Sequence, residues 1–264
     1  FIDLALVDGA VAAIGLGDAA VGLVFVGEGE PGAERDLGAD DAVRVVVIRG
    51  EGRHFQAGAD LGWINSLRGL SEEESIAVSL RTTQAVYGLM TVPKPVVALI
   101  HGGCFGGGTG IAAACDIVIA DETAIFSIAE ARWGLTALPI VPQLLSRIGP
   151  GRLRRYSLTC ERFDARRAFE IGLVDEVCAP GALDETAAPI IDALLHCPPG
   201  SLVDSKAAAL KYAGLYYDAD GLDDLPARTA SSASTPRPAK GCGASWRNAN
   251  QAGTRGRVRI LRTV

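Results

Sequence analysis

The sequence predicts an α/β protein built around a largely parallel sheet. Short apolar runs at residues 43–48, 96–100 and 117–120 alternate along the chain with segments of helical spacing. Neighbouring parallel strands need crossover connections, which helices usually provide. The 32 glycines and the 6% aromatic content are typical of a turn-rich α/β protein, and 264 residues are enough to bury a sizeable core. We therefore expect catalytic loops at the carboxyl ends of the strands.

The composition narrows the class of protein. Hydrophobic residues make up 48% and charged residues 21%, which is ordinary globular usage and argues against a fibrous or disordered chain. The sequence has no apolar run long enough to span a membrane and does not open on a basic-then-apolar signal segment, so we expect a soluble, cytoplasmic protein with no membrane partner. Its six cysteines include no C-x-x-C pair, so neither a metal site nor a disulfide framework is expected.

The N-terminal half contains three recognisable elements. Residues 3–7 and 11–14 flank Asp8-Gly9 with the spacing of a β-hairpin. No helical period follows in residues 15–34. Ser71, followed by three glutamates, predicts the N-cap of a helix that runs to Thr91, where prolines end it.

The C-terminal half alternates short helices with one strand. Gly149 and Gly172 are typical of helix ends, residues 174–177 predict a strand, and no element is predicted after Leu225. The predicted helices lie at residues 142–148, 152–159, 165–171, 183–195 and 201–213.

A glycine-rich stretch at residues 100–112 joins a predicted strand to a predicted helix. Unpaired N–H groups in the first turn of a helix attract negative charge, so this stretch predicts an anion-binding turn. Residues 103–108 approximate the G-x-G-x-x-G pattern, but no acidic residue ends a second strand about 20 positions later, as a dinucleotide site requires. A nicotinamide cofactor is therefore not expected. We expect His101, just before the turn, to form a hydrogen bond at a strand end rather than to act as a base.

Four motifs occur in order between residues 55 and 130. They are Phe55-Gln-Ala-Gly-Ala-Asp-Leu61, His101-Gly-Gly-Cys-Phe-Gly-Gly-Gly108, Ala114-Cys-Asp-Ile-Val-Ile-Ala120 and Phe126-Ser-Ile-Ala-Glu130. With these motifs, the sequence from about residue 40 to 213 resembles the crotonase superfamily, the enoyl-CoA hydratase and isomerase family. The resemblance implies a ββα spiral catalytic core, assigned to residues 1–197, and a helical C-terminal region at 198–264 that builds a homotrimer or a hexamer of two trimers. It also implies an acyl-CoA thioester substrate, with coenzyme A as part of the substrate and no separate cofactor.

The resemblance assigns an oxyanion hole to the backbone N–H groups of Ala59 and Gly107. A thioester enolate carries negative charge on its carbonyl oxygen, and two preorganised donors stabilise that charge. The resemblance also implies that Glu130 is the second catalytic glutamate of hydratases. Its apolar neighbours Phe126, Ile128 and Trp133 are expected to raise the pKa of its carboxyl and to suit it to proton transfer.

Further positions match the substrate-binding sites of the family. At Asp60 the alternative to substrate binding is a hydrogen-bonding role that caps the loop. Trp133 either shapes the acyl pocket or packs in the core. The matching positions are Ala57, Asp60, Leu61, Gly106, Gly110 and Trp133.

The sequence departs from the family at Gly110, where a typical hydratase carries its first catalytic glutamate. Two reactions remain open. The chain resembles relatives acting on branched or glutaconyl-type thioesters, which implies an enoyl-CoA hydratase that holds its water differently. Alternatively, it is an enoyl-CoA isomerase that moves a 3,4 double bond to 2,3 with Glu130 alone. A catalytically weak acyl-CoA-binding or RNA-associated protein is the non-enzymatic alternative.

Both flanks of the chain differ from the family pattern. Residues 15–34 lack the expected turn and amphipathic helix. From Arg228 onward the chain has eight basic residues and no acidic one, together with many Ala, Gly, Pro and Ser residues. Our hypothesis is that 15–34 and 229–264 are mis-specified segments of a GC-rich gene; a disordered tail is the alternative, and nucleic-acid binding is not expected.

Overall fold

The main sheet carries the parallel strands that the apolar runs predict. The computed structural model describes residues 43–50, 52–58 and 69–215 in full, and the backbone of residues 14–16, 19–22 and 258–259. In sheet order the strands are β1 (Ile14–Leu16), β2 (Ala19–Gly22), β3 (Val43–Gly50), β4 (Val96–Ile100), β6 (Ile117–Asp121) and β9 (Glu176–Cys178). The pairings from β2 to β9 are parallel, whereas β1 is antiparallel to β2. A further strand, β10 (Val258–Arg259), pairs antiparallel with the end of β3.

The central strands β3, β4 and β6 are largely apolar because both faces of the sheet are covered. All five residues of β4 are buried. The register places Val46 opposite Val96, and Val97 opposite Ile117. These strands confirm the sequence prediction at 43–48, 96–100 and 117–120.

A second, three-stranded sheet lies at the glycine turn. Its strands are β5 (Gly103–Phe105), β7 (Ile125–Ser127) and β8 (Phe163–Asp164), with β5 parallel to β7 and β7 antiparallel to β8. The loop 52–58 joins this sheet through an isolated bridge between Gln56 and Cys104. The backbone of Gln56 donates to the Gly103 carbonyl at 3.0 Å and accepts from the Phe105 N–H at 2.9 Å. The loop is therefore held in register with β5.

The helices begin and end close to where the sequence predicts. They are α1 (Glu72–Thr91), α2 (Gly107–Ala114), α3 (Val141–Thr159), α4 (Ala165–Ile171), α5 (Leu183–His196) and α6 (Pro199–Tyr212). Ser71 caps α1 in a capping box with Glu74, as its pattern indicates. Gly149 interrupts α3 with φ 71° and ψ 167°, and Gly172 ends α4 in the left-handed conformation.

The strand predicted at 174–177 differs from the structure, and other predicted segments lie partly or wholly outside the described residues. The strand predicted at 174–177 begins at Glu176, because the Leu173 and Val174 N–H groups still bond to the Ala168 carbonyl and prolong the turn that ends α4. Residues 15–34 have no helical period in the sequence, and β2 with most of β1 lies there. Most of the hairpin predicted at 3–14, and the tail 229–264 apart from β10, lie outside the described residues.

A partly buried ion pair links α6 to the main sheet. Lys206 Nζ donates to Asp116 Oδ2 at 2.7 Å and to the Lys94 carbonyl at 3.0 Å. The same Asp116 oxygen accepts from the Val96 N–H at 2.8 Å, at the start of β4. Asp116 therefore ties α6 to the beginning of a central strand, although burial raises the pKa of its carboxyl against the opposing effect of Lys206.

Gly102, between β4 and β5, lies where the chain crosses the loop 52–58. It has φ +56°, and a Cβ at this position would lie 2.0 Å from the Arg53 carbonyl oxygen. We expect Gly102→Ala to lower the free energy of unfolding by more than the ~1–2 kcal/mol that a left-handed conformation alone costs, because the backbone must also move.

Gly52→Ala is the matched control for this prediction. Gly52 also has a positive φ, +75°, but nothing lies within 4 Å of a Cβ there. Denaturant unfolding of both variants measures the difference. Equal losses of stability would show that the close approach to Arg53 is unimportant.

No helix within the described part of the chain is both long enough and apolar enough to cross a membrane.

Candidate active site

The glycine turn presents backbone N–H groups at the start of α2. Gly106 is the N-cap, with φ 55° and ψ −124°, and its own N–H donates to the Ser127 carbonyl at 2.8 Å. The Gly107 N–H, next in the chain, has no acceptor among the residues that the structure describes. No atom of the described residues lies within 4 Å of a Cβ placed on Gly107. The turn therefore offers a free donor with open space beside it, which is the geometry that an oxyanion requires.

The loop 52–58 is fixed against this helix start by Gln56. Its side-chain Oε1 accepts from the Gly58 N–H at 2.9 Å. A Cβ on Gly108 would lie 2.8 Å from the same oxygen, so Gly108 must be small for the loop to approach. The loop therefore reaches Gly58, the residue before Ala59, close to the N-terminus of α2.

Ala59, Asp60 and Leu61 lie outside the described residues, so the oxyanion donor at Ala59 and the substrate contacts of Asp60 and Leu61 stay predictions. Ala57 is partly buried within the loop. Gln56 is a further residue of the site that its sequence pattern did not predict. Its only signal is a polar residue inside the partly apolar motif 55–61.

The carboxyl group of Glu130 lies next to the glycine turn. Glu130 begins a short 3-10 helix, Glu130–Trp133, three residues after the end of β7. A Cβ on Gly106 would lie 3.0 Å from Glu130 Oε1. Glu130 Oε2 is buried and has no hydrogen-bond partner among the described residues. One oxygen of the carboxylate is thus buried without a hydrogen bond from any described residue.

Burial raises the pKa of Glu130 to about 7 from its ordinary value of 4.5, although its own backbone N–H and that of Ala129 partly oppose the shift. The surroundings are apolar, because Phe105 and Ala129 form a small buried cluster against which Ile125 and Trp133 pack. A carboxyl group with a pKa near neutrality can both take up and release a proton at physiological pH.

Trp133 and Arg132 hold the short helix that carries Glu130. Trp133 is partly buried and packs against the cluster of Phe105 and Ala129. Arg132 Nη2 donates to the Cys160 carbonyl at 2.6 Å, an oxygen that also accepts from Ser127 Oγ at 3.0 Å. The packing of Trp133 against Phe105, the residue before Gly106, is compatible with a role in shaping an acyl site.

Gly110 lies one helical turn beyond the free N–H of Gly107, and the space beside it is filled. A Cβ at position 110 would lie 2.1 Å from Cγ2 and 2.5 Å from Cβ of Ile140. The position where the resemblance expects a first glutamate therefore lacks a carboxylate and also lacks room for any side chain.

The two histidines near the turn have structural partners. His101 Nε2 forms a hydrogen bond with the Gly52 carbonyl at 2.9 Å, as expected for a residue at a strand end. His54 Nδ1 accepts from the Gly103 N–H at 2.9 Å. Burial lowers the pKa of His54, and the charges of Arg53 and His101 lower it further, so the neutral ring is favoured.

No group of three or more His, Cys, Asp or Glu side chains within the described ranges is arranged to hold a metal ion. The five described cysteines are free.

The buried carboxyl of Glu130 predicts a pH-dependent loss of stability. Below about pH 4.5 the group is protonated in both states, whereas between pH 4.5 and 7 the unfolded chain binds fewer protons than the folded one. The free energy of unfolding should therefore fall as the pH rises, by about 3 kcal/mol once the pH exceeds 7. Glu130→Gln removes this contribution, so its stability relative to the wild type should increase from pH 5 to pH 8 in urea unfolding. Parallel pH profiles of the two proteins would contradict the assignment.

Comparison with known proteins places this geometry in a family. The family model for enoyl-CoA hydratase/isomerase matches residues 34–214. The protein named "Putative enoyl-CoA hydratase" of Thermus thermophilus is 34% identical over 189 residues, which is 72% of this chain and 73% of that protein. The peroxisomal Delta(3,5)-Delta(2,4)-dienoyl-CoA isomerase of Arabidopsis thaliana is 31% identical over 192 residues, 69% of each chain.

Solved structures of the same kind share the fold. The crystal structure of an enoyl-CoA hydratase/isomerase from Xanthobacter autotrophicus Py2 superimposes with a TM-score of 0.76 at 25% identity, over 92% of this chain and 93% of that one. An enoyl-CoA hydratase from Mycobacterium avium superimposes with a TM-score of 0.70 at 28% identity, over 85% and 91% of the two chains. The mixed α/β architecture is therefore that of the crotonase fold, as the motifs predicted. The chain belongs to the enoyl-CoA hydratase/isomerase family.

Proposed function

We propose that the protein is an enoyl-CoA hydratase, which adds water across the 2,3 double bond of an enoyl-CoA. The observation that carries this proposal is the buried carboxyl of Glu130, with its pKa of about 7, beside Gly106 in the turn that also presents the N–H of Gly107. The names of several relatives as hydratases support the reaction class. Coenzyme A enters as part of the substrate.

In this reaction one carboxylate takes up a proton and returns it. The thioester oxygen accepts hydrogen bonds from the N–H groups of Gly107 and Ala59. Ionised Glu130 removes a proton from water as the water oxygen bonds to C3, and the electron pair of the double bond moves into the thioester to form an enolate. Protonated Glu130 then gives the same proton to C2, and the thioester carbonyl re-forms.

A specific observation favours a second candidate, an enoyl-CoA isomerase. The side chain of Ile140 fills the space beside Gly110. The described residues therefore provide one carboxylate at the glycine turn, that of Glu130, and no second one. Glu130 alone would remove a proton from C2 of a 3-enoyl-CoA to give a dienolate, and would then deliver that proton to C4. This product is the 2-enoyl-CoA, with the oxyanion held as in hydration.

The two reactions are distinguished by incubation with 2-enoyl-CoA and 3-enoyl-CoA in heavy-oxygen water, followed by mass analysis of the products. Incorporated oxygen-18 reports hydration, and an unlabelled double-bond shift reports isomerisation. If neither product forms, both candidates are wrong and the acyl-CoA-binding alternative is favoured. Sedimentation of the same preparation tests the trimer or hexamer, which stays a prediction.

A further inference from the structure

We propose that His54 is a positioning residue, whose neutral ring completes the pairing of the loop 52–58 with β5 and whose protonation releases that end of the loop. The inference rests on the proposed function, because this loop leads to Ala59, the predicted second donor of the oxyanion hole. It gives the ring a part in the reaction through the backbone of the loop, and it gives the activity an acid limit separate from the titration of Glu130.

The loop pairs with β5 as a short stretch of parallel sheet that becomes irregular at His54. Gln56 is hydrogen-bonded to β5 through both its N–H and its carbonyl. In a regular parallel ladder this pattern repeats two residues earlier, so residue 54 would donate to the His101 carbonyl and accept from the Gly103 N–H. Instead, the N–H of Phe55 donates to the His101 carbonyl, at 2.9 Å. The ladder has therefore shifted by one residue at this point.

The ring of His54 takes the place of the missing backbone carbonyl. Its Nδ1 accepts from the Gly103 N–H at 2.9 Å. The carbonyl of His54 itself lies beside Gly50, where a Cβ would be 2.4 Å from its oxygen. A Cβ on Gly102 or on Gly103 would lie 3.1 Å from the same Nδ1, so both glycines leave room for the ring. Gly103 is buried, and loss of the ring as acceptor would leave its N–H without a partner, which is costly.

Only the neutral ring can make this hydrogen bond. Because the Gly103 N–H is a donor, Nδ1 must carry no proton, and the ring proton is on Nε2. Protonation would place an N–H of the ring against the N–H of Gly103, and the hydrogen bond would be lost.

The surroundings of the ring favour its neutral form. Burial lowers the pKa of His54 from its ordinary value of 6.5. Arg53 in the same loop and His101 directly after β4 are the charged or titratable groups of the described residues that act on the ring, and both lower this pKa further. The hydrogen bond to Gly103 is therefore intact at neutral pH and is lost in acid.

The hydrogen bond acts on the site through the backbone of the loop. The loop runs from His54 to Gly58, and Ala59 follows. β5 leads to the turn that presents the N–H of Gly107, so the pairing of the loop with β5 sets the separation of the two predicted donors. Release of the loop at His54 would let the donor at Ala59 move, and a misplacement of ~1 Å can cost ~10² in rate.

Two substitutions separate the hydrogen bond from the bulk of the ring. His54→Asn keeps an acceptor, because its Oδ1 can take the place of Nδ1, and it does not titrate. His54→Leu has a similar volume and no acceptor. We expect the leucine variant to lose ~10- to 10²-fold in kcat/KM at about pH 8, and the asparagine variant to keep most of its activity. His196→Asn is the matched control, because His196 is exposed and bonds only within its own helix.

The pH dependence distinguishes positioning from packing. The ratio of kcat/KM between the wild type and His54→Asn should be constant above pH 6.5 and should fall below it, as His54 takes up a proton. The limit of this fall is the factor that the leucine variant loses. The titration of Glu130 affects both proteins equally and cancels in the ratio. A ring that only fills space would leave the ratio independent of pH.

Hydrogen exchange tests the release of the loop without activity. The protection factor of the Gly103 amide should fall in the wild type when the pH is lowered from about 8 to about 5, and should stay unchanged in His54→Asn. Both decisive comparisons use the wild type and the asparagine variant, so they do not depend on the folding of the leucine variant.

Unchanged Gly103 protection in the wild type, or a wild-type to asparagine ratio that does not vary with pH, overturns the proposal. An inactive wild type would overturn the proposed function, and the exchange of Gly103 would still decide whether the ring holds the loop. An active wild type with neither change would overturn this inference alone.

Discussion

Glu130→Gln should lower the turnover of enoyl-CoA by ~10²–10⁴ while the protein remains folded. The amide has nearly the same shape as the carboxyl, so the neighbouring packing of Trp133 against the Phe105 and Ala129 cluster is kept. It cannot take up and return a proton at neutral pH, and this is the step that both candidate reactions need. The measurement is kcat/KM with a 2-enoyl-CoA and with a 3-enoyl-CoA.

Glu122→Gln serves as the control for this variant, because Glu122 is exposed and its nearest charged partner, Arg166, is 3.8 Å away. It should keep wild-type activity. An undiminished rate in folded Glu130→Gln would mean that the buried carboxyl is not the proton-transfer group.

Gly107→Pro should lower kcat/KM by ~10²–10³, because it deletes one donor to the oxyanion. The first position of a helix tolerates proline, whose fixed φ suits it. Residues before proline are normally restricted, but Gly106 has φ 55° and ψ −124°, the mirror image of the extended conformation that proline favours in its neighbour. The Cβ of the proline also has room, since no described residue lies within 4 Å of a Cβ at 107.

Gly107→Ala is the matched partner of this substitution. It adds a Cβ in the same open space and keeps the N–H, so it should retain most of the activity. Equal losses in the alanine and proline variants would assign the effect to bulk near the substrate rather than to the hydrogen bond.

The parts of the fold that the sequence predicts are those with a strong local pattern. The buried runs of β3, β4 and β6, the Ser71 cap and the break at Gly149 each depend on neighbouring residues and are confirmed. Glu130 was located by its motif, and the structure places its carboxyl beside Gly106.

Contacts between distant segments left no such pattern. Ile140 fills the space beside Gly110 from thirty residues away, and Gln56 packs on Gly108 from more than fifty. In the sequence, Ile140 is one apolar residue among several and Gln56 is one polar residue in a loop, so neither stands out. Only the tertiary packing shows that each is matched to a particular glycine.

The three-stranded sheet has a mechanical consequence for the site. Three parts of the site extend from this one small sheet. The loop 52–58 joins it through the Gln56–Cys104 bridge, the turn at Gly107 follows the end of β5, and the short helix that carries Glu130 follows the end of β7. The hydrogen bond from Gly106 to the Ser127 carbonyl joins two of these exits directly. Thermal displacement of the sheet therefore carries the donor and the carboxyl together and preserves their separation. Insertions between Ser127 and Glu130 should disturb that alignment far more than insertions in the exposed turn at Ala179–Ala182.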